Sequence, residues 1–130
     1  MRILICDDDP LIIEQLQKFI ESFFKSNHIK CPELVSFTSG ESLLADSEEK
    51  DLVFLDIEMD DTNGFDAAEE LMSGSAKPLI VFVTKSTEYT IRGYDVAFHY
   101  LVKPLNEAKF HEVLKRALRL IIPQYFTFSS

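Results

Sequence analysis

The chain has 130 residues, of which 46% are hydrophobic, so it is long enough to form one domain with a buried core. Its 22 acidic and 13 basic residues give a formal net charge of -9, which disfavours direct binding to nucleic acids and to anionic membrane surfaces. No apolar run approaches the about 18 residues of a membrane span, and early acidic residues interrupt any signal-peptide pattern. The two cysteines have no metal-binding spacing and indicate reduced thiols, so we expect a cytoplasmic protein.

Short apolar runs alternate with amphipathic segments along the chain. The runs predicted to be strands are Arg2–Cys6, Glu33–Phe37, Leu52–Leu55, Pro78–Val83 and Phe98–Val102. Each is followed by a predicted helix, and these helices span residues 10–25, 40–47, 65–73, 87–94 and 106–122. Five strand-then-helix units predict an α/β fold, a doubly wound five-stranded parallel sheet with five helices on its two sides.

The first and last helices have the clearest patterns. Asp9 is the predicted N-cap of the first helix, and Pro10 suits its first turn. The apolar stripe of that helix is predicted to consist of Ile12, Leu16, Phe19, Ile20 and Phe23. The stripe of the last helix is predicted to consist of Phe110, Val113, Leu114, Ala117, Leu118 and Ile121. Both stripes are expected to pack in the core.

Polar side chains follow four of the predicted strands. Asp7 and Asp8 follow the first strand, Asp56 the third, Thr84 the fourth and Lys103 the fifth. Because parallel strands end at one edge of a sheet, we expect these five side chains to face a common crevice, where ligands of open α/β sheets bind. Carboxylates so close together repel one another, and a divalent cation relieves that repulsion. The pattern therefore predicts a Mg²⁺ site, beside which Thr84 and Lys103 could bind phosphoryl oxygens.

This combination resembles the receiver domain of two-component response regulators over residues 2–122. The resemblance rests on the pair Asp7-Asp8, on Asp56 with Gly64 eight residues later, on Thr84, and on the segment Tyr100-Leu-Val-Lys103-Pro104. It implies that Asp56 accepts a phosphoryl group from a sensor histidine kinase, so the chain acts as a phosphoacceptor and not as a turnover enzyme. It also implies that Asp8 binds Mg²⁺ directly, Asp7 through water and Glu58 through its backbone carbonyl.

The resemblance further implies the strand order 2-1-3-4-5, a cis peptide before Pro104, and a switch pair formed by Thr84 and Tyr100. Phosphorylation would then alter the face made by the helix predicted over 87–94, the fifth strand and the last helix. That face includes Ile91, Tyr94 and Phe98, and we expect it to mediate homodimerisation and transcriptional output.

Two further segments resemble the subfamily whose receivers precede a LytTR DNA-binding domain. They are Asp-Ile-Glu-Met at 56–59 and Ala-Phe-His-Tyr-Leu-Val-Lys-Pro at 97–104. The resemblance implies that DNA is contacted only through a C-terminal domain missing from this chain. We assign residues 1–122 to the receiver domain, and residues 123–130 either to the start of the missing domain or to a loose tail.

Two residues, Asp60 and His99, depart from the family pattern. Asp60, where receivers usually have proline, and its neighbour Asp61 are expected to lie in a solvated loop, with tighter metal attraction as the alternative. His99 is expected to be an exposed residue at a strand end, with a phosphotransfer or metal role as the alternative.

Three other functions fit the sequence less well than that of a receiver. Asp56-Ile-Glu58 resembles the opening of haloacid-dehalogenase-type phosphohydrolases, but those enzymes have the motif on their first strand. An FMN-binding protein would place a phosphate beside the first strand, where the acidic run 7–9 repels it. A pseudo-receiver that works only as a docking module would not need the acid pair, the acceptor and the lysine together.

Overall fold

The structure is a computed structural model that describes residues 1–85 and 97–123. Its strands are β1 (Arg2–Cys6), β2 (Glu33–Phe37), β3 (Leu52–Leu55), β4 (Leu79–Thr84) and β5 (His99–Val102). Its helices are α1 (Pro10–Ser26), α2 (Gly40–Ala45), α3 (Gly64–Met72) and α4 (Glu107–Ile121). The helix predicted over 87–94 and most of the predicted tail, residues 124–130, lie outside the described residues.

The five strands form one parallel sheet with the order β2-β1-β3-β4-β5, which confirms the predicted fold class and strand order. The register aligns the strand ends, because Cys6 of β1 pairs with both Phe37 of β2 and Leu55 of β3. Among the last two strands of the order, Thr84 of β4 pairs with Val102 of β5. The residues that follow these strands therefore meet at one edge of the sheet, here called the carboxyl edge.

Each face of the sheet has its own buried cluster. In β1, Ile3 and Ile5 belong to a cluster with residues of α1 and α4, whereas Leu4 and Cys6 belong to a cluster with residues of α2 and α3. This split follows from the alternation of side chains along a strand. Every residue of β3 is buried, which explains why its sequence is a continuous apolar run without alternation.

The helix α1 begins as predicted, with the Asp9 carboxylate accepting a hydrogen bond of 2.9 Å from the Leu11 amide. Its buried stripe differs in part from the prediction, because it consists of Ile13, Leu16, Ile20, Phe23 and Phe24. The predicted members Ile12 and Phe19 are only half-buried and pack at the margin of the cluster. The stripe of α4 is confirmed except that Ile121 is half-buried.

Three strand boundaries differ by one residue from the prediction, and one of them is the start of β5, which lies at His99 and not at Phe98. The strand β4 begins at Leu79 and not at Pro78, whose ring nitrogen has no hydrogen to donate. It extends through Thr84, whose carbonyl accepts a hydrogen bond of 2.8 Å from the Lys103 amide.

In the part of the chain that the structure describes, we find no helix whose length and apolar character would let it cross a membrane.

Candidate functional site

Three aspartates converge at the carboxyl edge. One carboxylate oxygen from each of Asp7, Asp8 and Asp56 lies within 4.8 Å of the others, and we call these residues the acid cluster. Asp7 is 1% exposed and Asp56 is 5% exposed, whereas Asp8 is open to solvent. The burial follows from the fold, since Asp7 and Asp56 directly continue the paired strands β1 and β3.

Lys103 is a cation in direct contact with the acid cluster. Its ammonium lies 2.8 Å from an oxygen of Asp7 and 3.5 Å from an oxygen of Asp56, and its side chain is 8% exposed. Burial lowers the pKa of Lys103, but the hydrogen bond to Asp7 and the negative charge of Asp56 outweigh it and leave that pKa raised. Lys103 therefore stays charged. The peptide bond between Lys103 and Pro104 is cis, as the family resemblance implies.

The Asp56 carboxyl is held in an unfavourable environment for a negative charge. Burial and the neighbouring charge of Asp7 raise its pKa from 3.8 to about 6, although Lys103 and the Glu58 amide act in the opposite direction. The Glu58 amide lies 3.4 Å from the carboxylate. One ammonium thus compensates the acid cluster only in part, and a further positive charge would stabilise it.

The donor set of the cluster fits a hard divalent cation. All three side chains offer carboxylate oxygens, which are the ligands that Mg²⁺ and Ca²⁺ prefer. The cleft above them is small, about 110 Å³. It is lined by Asp7, Asp8, Asp9, Asp56, Glu58, Thr84, Lys85 and Lys103.

The loop after β3 closes over Asp56. Residues 58–63, here called the acidic loop, are joined at their base by a bridge between Glu58 and Asn63 and by a hydrogen bond of 2.7 Å from the Gly64 amide to the Ile57 carbonyl. A Cβ atom at Gly64 would lie 2.3 Å from the Asp56 carbonyl oxygen, so only glycine allows this close approach. The loop therefore brings Glu58 to the cleft.

The predicted switch residues occupy different surroundings. Thr84 is 1% exposed and lines the cleft of the acid cluster. Tyr100 is half-buried, and its ring packs against Phe82 with centroids 5.3 Å apart. Tyr100 lines a separate cleft with Ala97, Phe98 and His99.

The structure gives Asp61 contacts that sequence reasoning missed. Its carboxylate accepts hydrogen bonds of 3.1 Å and 2.9 Å from the amides of Gly40 and Glu41, at the start of α2. The expectation of an exposed residue in a solvated loop is confirmed for Asp61, but its carboxylate is also hydrogen-bonded, and its side chain is not part of the acid cluster. A serine-glycine helix start and a distant aspartate give no local signal that they meet.

His99 lies at the amino end of β5, whereas Lys103 follows the other end of that strand. The ring is half-buried, not exposed as expected, and its Nδ1 lies 2.9 Å from both the amide nitrogen and the carbonyl oxygen of Tyr100. Its contacts in the described part of the chain are therefore local.

A family model described as the response regulator receiver domain matches residues 3–115. The chain belongs to the response regulator receiver domain family. Members of this family are phosphorylated by histidine kinases and generally do not act as turnover enzymes. The phosphohydrolase and pseudo-receiver alternatives receive no support from the comparisons.

One curated relative of the receiver domain is the sensory transduction protein LytT from Enterococcus faecalis, which is 36% identical over 123 residues. The match covers 90% of this chain and 48% of that protein, so the chain spans about half the length of this relative. The similarity confirms the predicted likeness to the LytT-type regulators.

Many solved structures share the fold of the receiver domain. The response regulatory domain of mrkE from Klebsiella pneumoniae is 26% identical with a TM-score of 0.84, and the match covers 95% of this chain and 100% of that chain. The response regulator TrrA from Thermotoga maritima, solved in complex with Mg²⁺-BeF, is 30% identical with a TM-score of 0.76. That match covers 90% of this chain and 98% of that one.

Proposed function

We propose that Asp56 accepts a phosphoryl group from a sensor histidine kinase in a reaction assisted by Mg²⁺. The observation that supports this most directly is the buried Asp56 carboxylate, which lies 3.5 Å from the Lys103 ammonium and within 4.8 Å of the other members of the acid cluster. Phosphoryl transfer needs a positioned nucleophile and stabilisation of the charge on the transferred group. The cleft offers both.

In this proposal Mg²⁺ is held by the carboxylates of Asp8 and Asp56, by the backbone carbonyl of Glu58, and by Asp7 through water. The fit of the donor set and the Mg²⁺-BeF complex of the similar TrrA protein support this. When bound, the ion stabilises negative charge on the oxygens of the transferred group.

The residues of the chain have separate roles in the proposed transfer. An Asp56 carboxylate oxygen forms a bond to phosphorus while the bond from phosphorus to the kinase histidine nitrogen breaks and its electron pair stays on that nitrogen. The Lys103 ammonium and the Thr84 hydroxyl then bind phosphoryl oxygens of the acyl phosphate. Later hydrolysis restores the Asp56 carboxylate and releases inorganic phosphate.

We also propose that Thr84 and Tyr100 transmit the phosphorylation signal. Tyr100 packs against Phe82, which precedes Thr84 by two residues in β4, so a movement of Thr84 toward the phosphoryl group has a short path to the tyrosine ring. The affected surface would include β5, α4 and the helix predicted over 87–94, which lies outside the described residues.

The output of this switch is a further part of the proposal. Homodimerisation through that surface would control transcription by a LytTR DNA-binding domain in a longer protein, and the similarity to LytT supports this. Direct DNA contact by residues 1–122 is not proposed, since the chain has a formal charge of -9. A cytoplasmic location stays a prediction.

The phosphoacceptor role is tested with acetyl phosphate, a small-molecule phosphodonor, and intact-mass spectrometry. The wild-type chain should gain one phosphoryl group in the presence of Mg²⁺ and none in the presence of EDTA. Asp56→Asn should gain none while its circular dichroism spectrum stays that of a folded protein. The control Asp46→Asn removes a carboxylate outside the acid cluster and should be phosphorylated like the wild type.

Undiminished incorporation into Asp56→Asn would overturn the assignment of the acceptor. A folded wild-type chain that never incorporates phosphate would instead favour the docking module that works without phosphorylation.

A further inference from the structure

The acidic loop contains two adjacent aspartates with different surroundings. Asp60 lies in the middle of the loop, and its side chain makes no hydrogen bond or ion pair in the described part of the chain. Its backbone amide donates a hydrogen bond of 3.3 Å to an Asp8 carboxylate oxygen. Asp61 is also exposed, but both of its carboxylate oxygens are hydrogen-bonded. The two residues carry the same charge, but only the Asp61 carboxylate is hydrogen-bonded to another element of the domain.

Asp61 joins the acidic loop to the start of α2. Oδ1 accepts from the Gly40 amide at 3.1 Å and Oδ2 accepts from the Glu41 amide at 2.9 Å. Amides of a first helical turn have no partners within the helix, so a carboxylate placed there is stabilised. The hydrogen bond from Glu41, with that from Gly40, holds the pKa of Asp61 below its usual value.

A close packing contact accompanies these hydrogen bonds. A Cβ atom at Gly40 would lie 2.6 Å from the Cβ atom of Thr62, so the loop and the helix start approach as closely as a glycine allows. The helix α2 is itself attached to the sheet, because Leu43 is fully buried in the cluster beneath it. The far end of the acidic loop is thus fixed to the body of the domain.

The near end of the same loop reaches the acid cluster. Glu58 lines the cleft, and the Asp60 amide contacts Asp8. Both contacts depend on where the loop lies, and an antiparallel bridge between Glu58 and Asn63 joins the two ends of the loop.

We propose that Asp61 is a positioning residue for the cation site: its two hydrogen bonds to the start of α2 hold the acidic loop where Glu58 and the Asp60 amide meet the acid cluster. The inference rests on the proposed Mg²⁺ site. Asp61 does not touch the cation itself and acts through the loop.

The test compares Asp61→Ala, Asp61→Asn and Asp60→Ala, which each remove one negative charge from the loop. Mg²⁺ affinity is measured by titration of the metal alone, followed by amide NMR shifts of the acid cluster. We expect Asp61→Ala to weaken Mg²⁺ binding by about tenfold, the size of effect seen when a group that orients metal ligands is removed. Asp60→Ala should weaken it much less. Asp61→Asn has the same charge as Asp61→Ala but keeps one acceptor, so its affinity should lie between that of Asp61→Ala and the wild type.

A second readout needs no metal. Hydrogen exchange of the Gly40 and Glu41 amides should become faster in Asp61→Ala and stay unchanged in Asp60→Ala. If Asp61→Ala is too unstable to measure, Asp61→Asn replaces it. Because Asn keeps one acceptor oxygen, exchange should become faster at one of the two amides more than at the other.

Equal loss of affinity in Asp60→Ala and Asp61→Ala would show that only charge matters and would overturn the positioning role. Unchanged exchange at Gly40 and Glu41 in the Asp61 variants would overturn it as well. A wild-type chain that binds no Mg²⁺ would instead refute the proposed cation site, a result that the variants cannot imitate.

Discussion

The two edges of the sheet contain the same types of charged residue in different surroundings. The amino edge, where β1 begins, contains the ion-pair group formed by Arg2, Glu33, Asp46, Glu48 and Lys50. The carboxyl edge contains the acid cluster and Lys103. Acids outnumber bases at both edges, so the excess of acid does not by itself distinguish a structural site from a chemical one.

The amino edge places its surplus acids in solvent. The side chains of Glu33 and Glu48 are 62% and 69% exposed, whereas Asp46 is 14% exposed and lies 3.0 Å from both Arg2 and Lys50. The hydrogen bond from Arg2 lowers the pKa of Asp46, as expected of a paired carboxylate. Asp46 is thus paired with two cations of the protein, although the buried Arg2 Nε has no hydrogen-bond partner in the described part of the chain and lies 3.6 Å from a Glu33 oxygen.

The carboxyl edge buries its surplus. Asp7 and Asp56 share one ammonium, and the pKa of Asp56 is raised to about 6 by burial and by Asp7. A larger cleft of about 320 Å³ lies at the amino edge, beside Lys50 and Asp51. The difference between the edges therefore lies in how completely each buried acid is paired with a cation, and not in the size of the cleft.

The largest expected effect separates the two neighbours at the start of α1. Asp8→Ala should weaken Mg²⁺ binding by roughly ten- to a hundredfold, since a lost charge at close range costs on the order of 1–4 kcal/mol. Asp9→Ala should leave Mg²⁺ affinity nearly unchanged and lower the free energy of unfolding by about 1 kcal/mol, because Asp9 caps α1. Calorimetric Mg²⁺ titration and urea unfolding measure the two effects. A greater loss of affinity in Asp9→Ala would mean that the cation lies elsewhere.

The next prediction concerns the free energy of unfolding, which should change in opposite directions for variants at the two edges. Without metal, Asp56→Asn should raise the free energy of unfolding at neutral pH by about 1–3 kcal/mol, because the raised pKa of Asp56 makes its ionised form a cost in the folded state. That gain should shrink as the pH falls from about 6 toward 3.8, since the folded protein then protonates Asp56 first.

Asp46→Asn is the matched variant at the amino edge. Its lowered folded pKa means that the Asp46 carboxylate contributes stability above 3.8, which is lost as the pH falls through the folded pKa. Asp46→Asn should therefore destabilise the protein at neutral pH. Urea unfolding in EDTA across this pH range checks both signs, and destabilisation by Asp56→Asn would remove the contrast between the edges.

The smallest effect concerns the proposed signal from the carboxyl edge to the rest of the domain. Thr84→Val keeps the shape of the side chain but deletes the proposed hydrogen bond to the phosphoryl group. Such a bond contributes roughly 1.5–3 kcal/mol, and only part of that free energy would affect distant residues. The variant should still accept phosphate at Asp56, with much smaller phosphate-induced NMR shifts at Phe98 and Tyr100.

Tyr100→Phe is the control for that experiment, because it keeps the ring that packs on Phe82 and removes only the hydroxyl. Full-sized shifts in phosphorylated Thr84→Val would show that the signal travels by another route, with Lys103 and the backbone of β5 the next candidates.

Local sequence patterns by themselves predicted the strands and the edge of the sheet at which the polar residues follow them, whereas the strand order came from the family resemblance. The apolar run before Asp56 predicts a strand buried on both faces, and parallel strands necessarily end at one edge. The Asp9 cap of α1 is likewise confirmed, since a cap depends on residues adjacent in the chain.

Only the tertiary structure decided how far each charge is satisfied. The burial of Asp56, the hydrogen bond between Lys103 and Asp7, and the attachment of Asp61 to α2 join residues that are distant in the chain. The buried stripe of α1 also differed in part from its predicted pattern, because Ile12 and Phe19 lie at the margin of the packed face. Periodicity determines which residues share a face of an element, but the packing of elements against one another determines which of those residues lose contact with water.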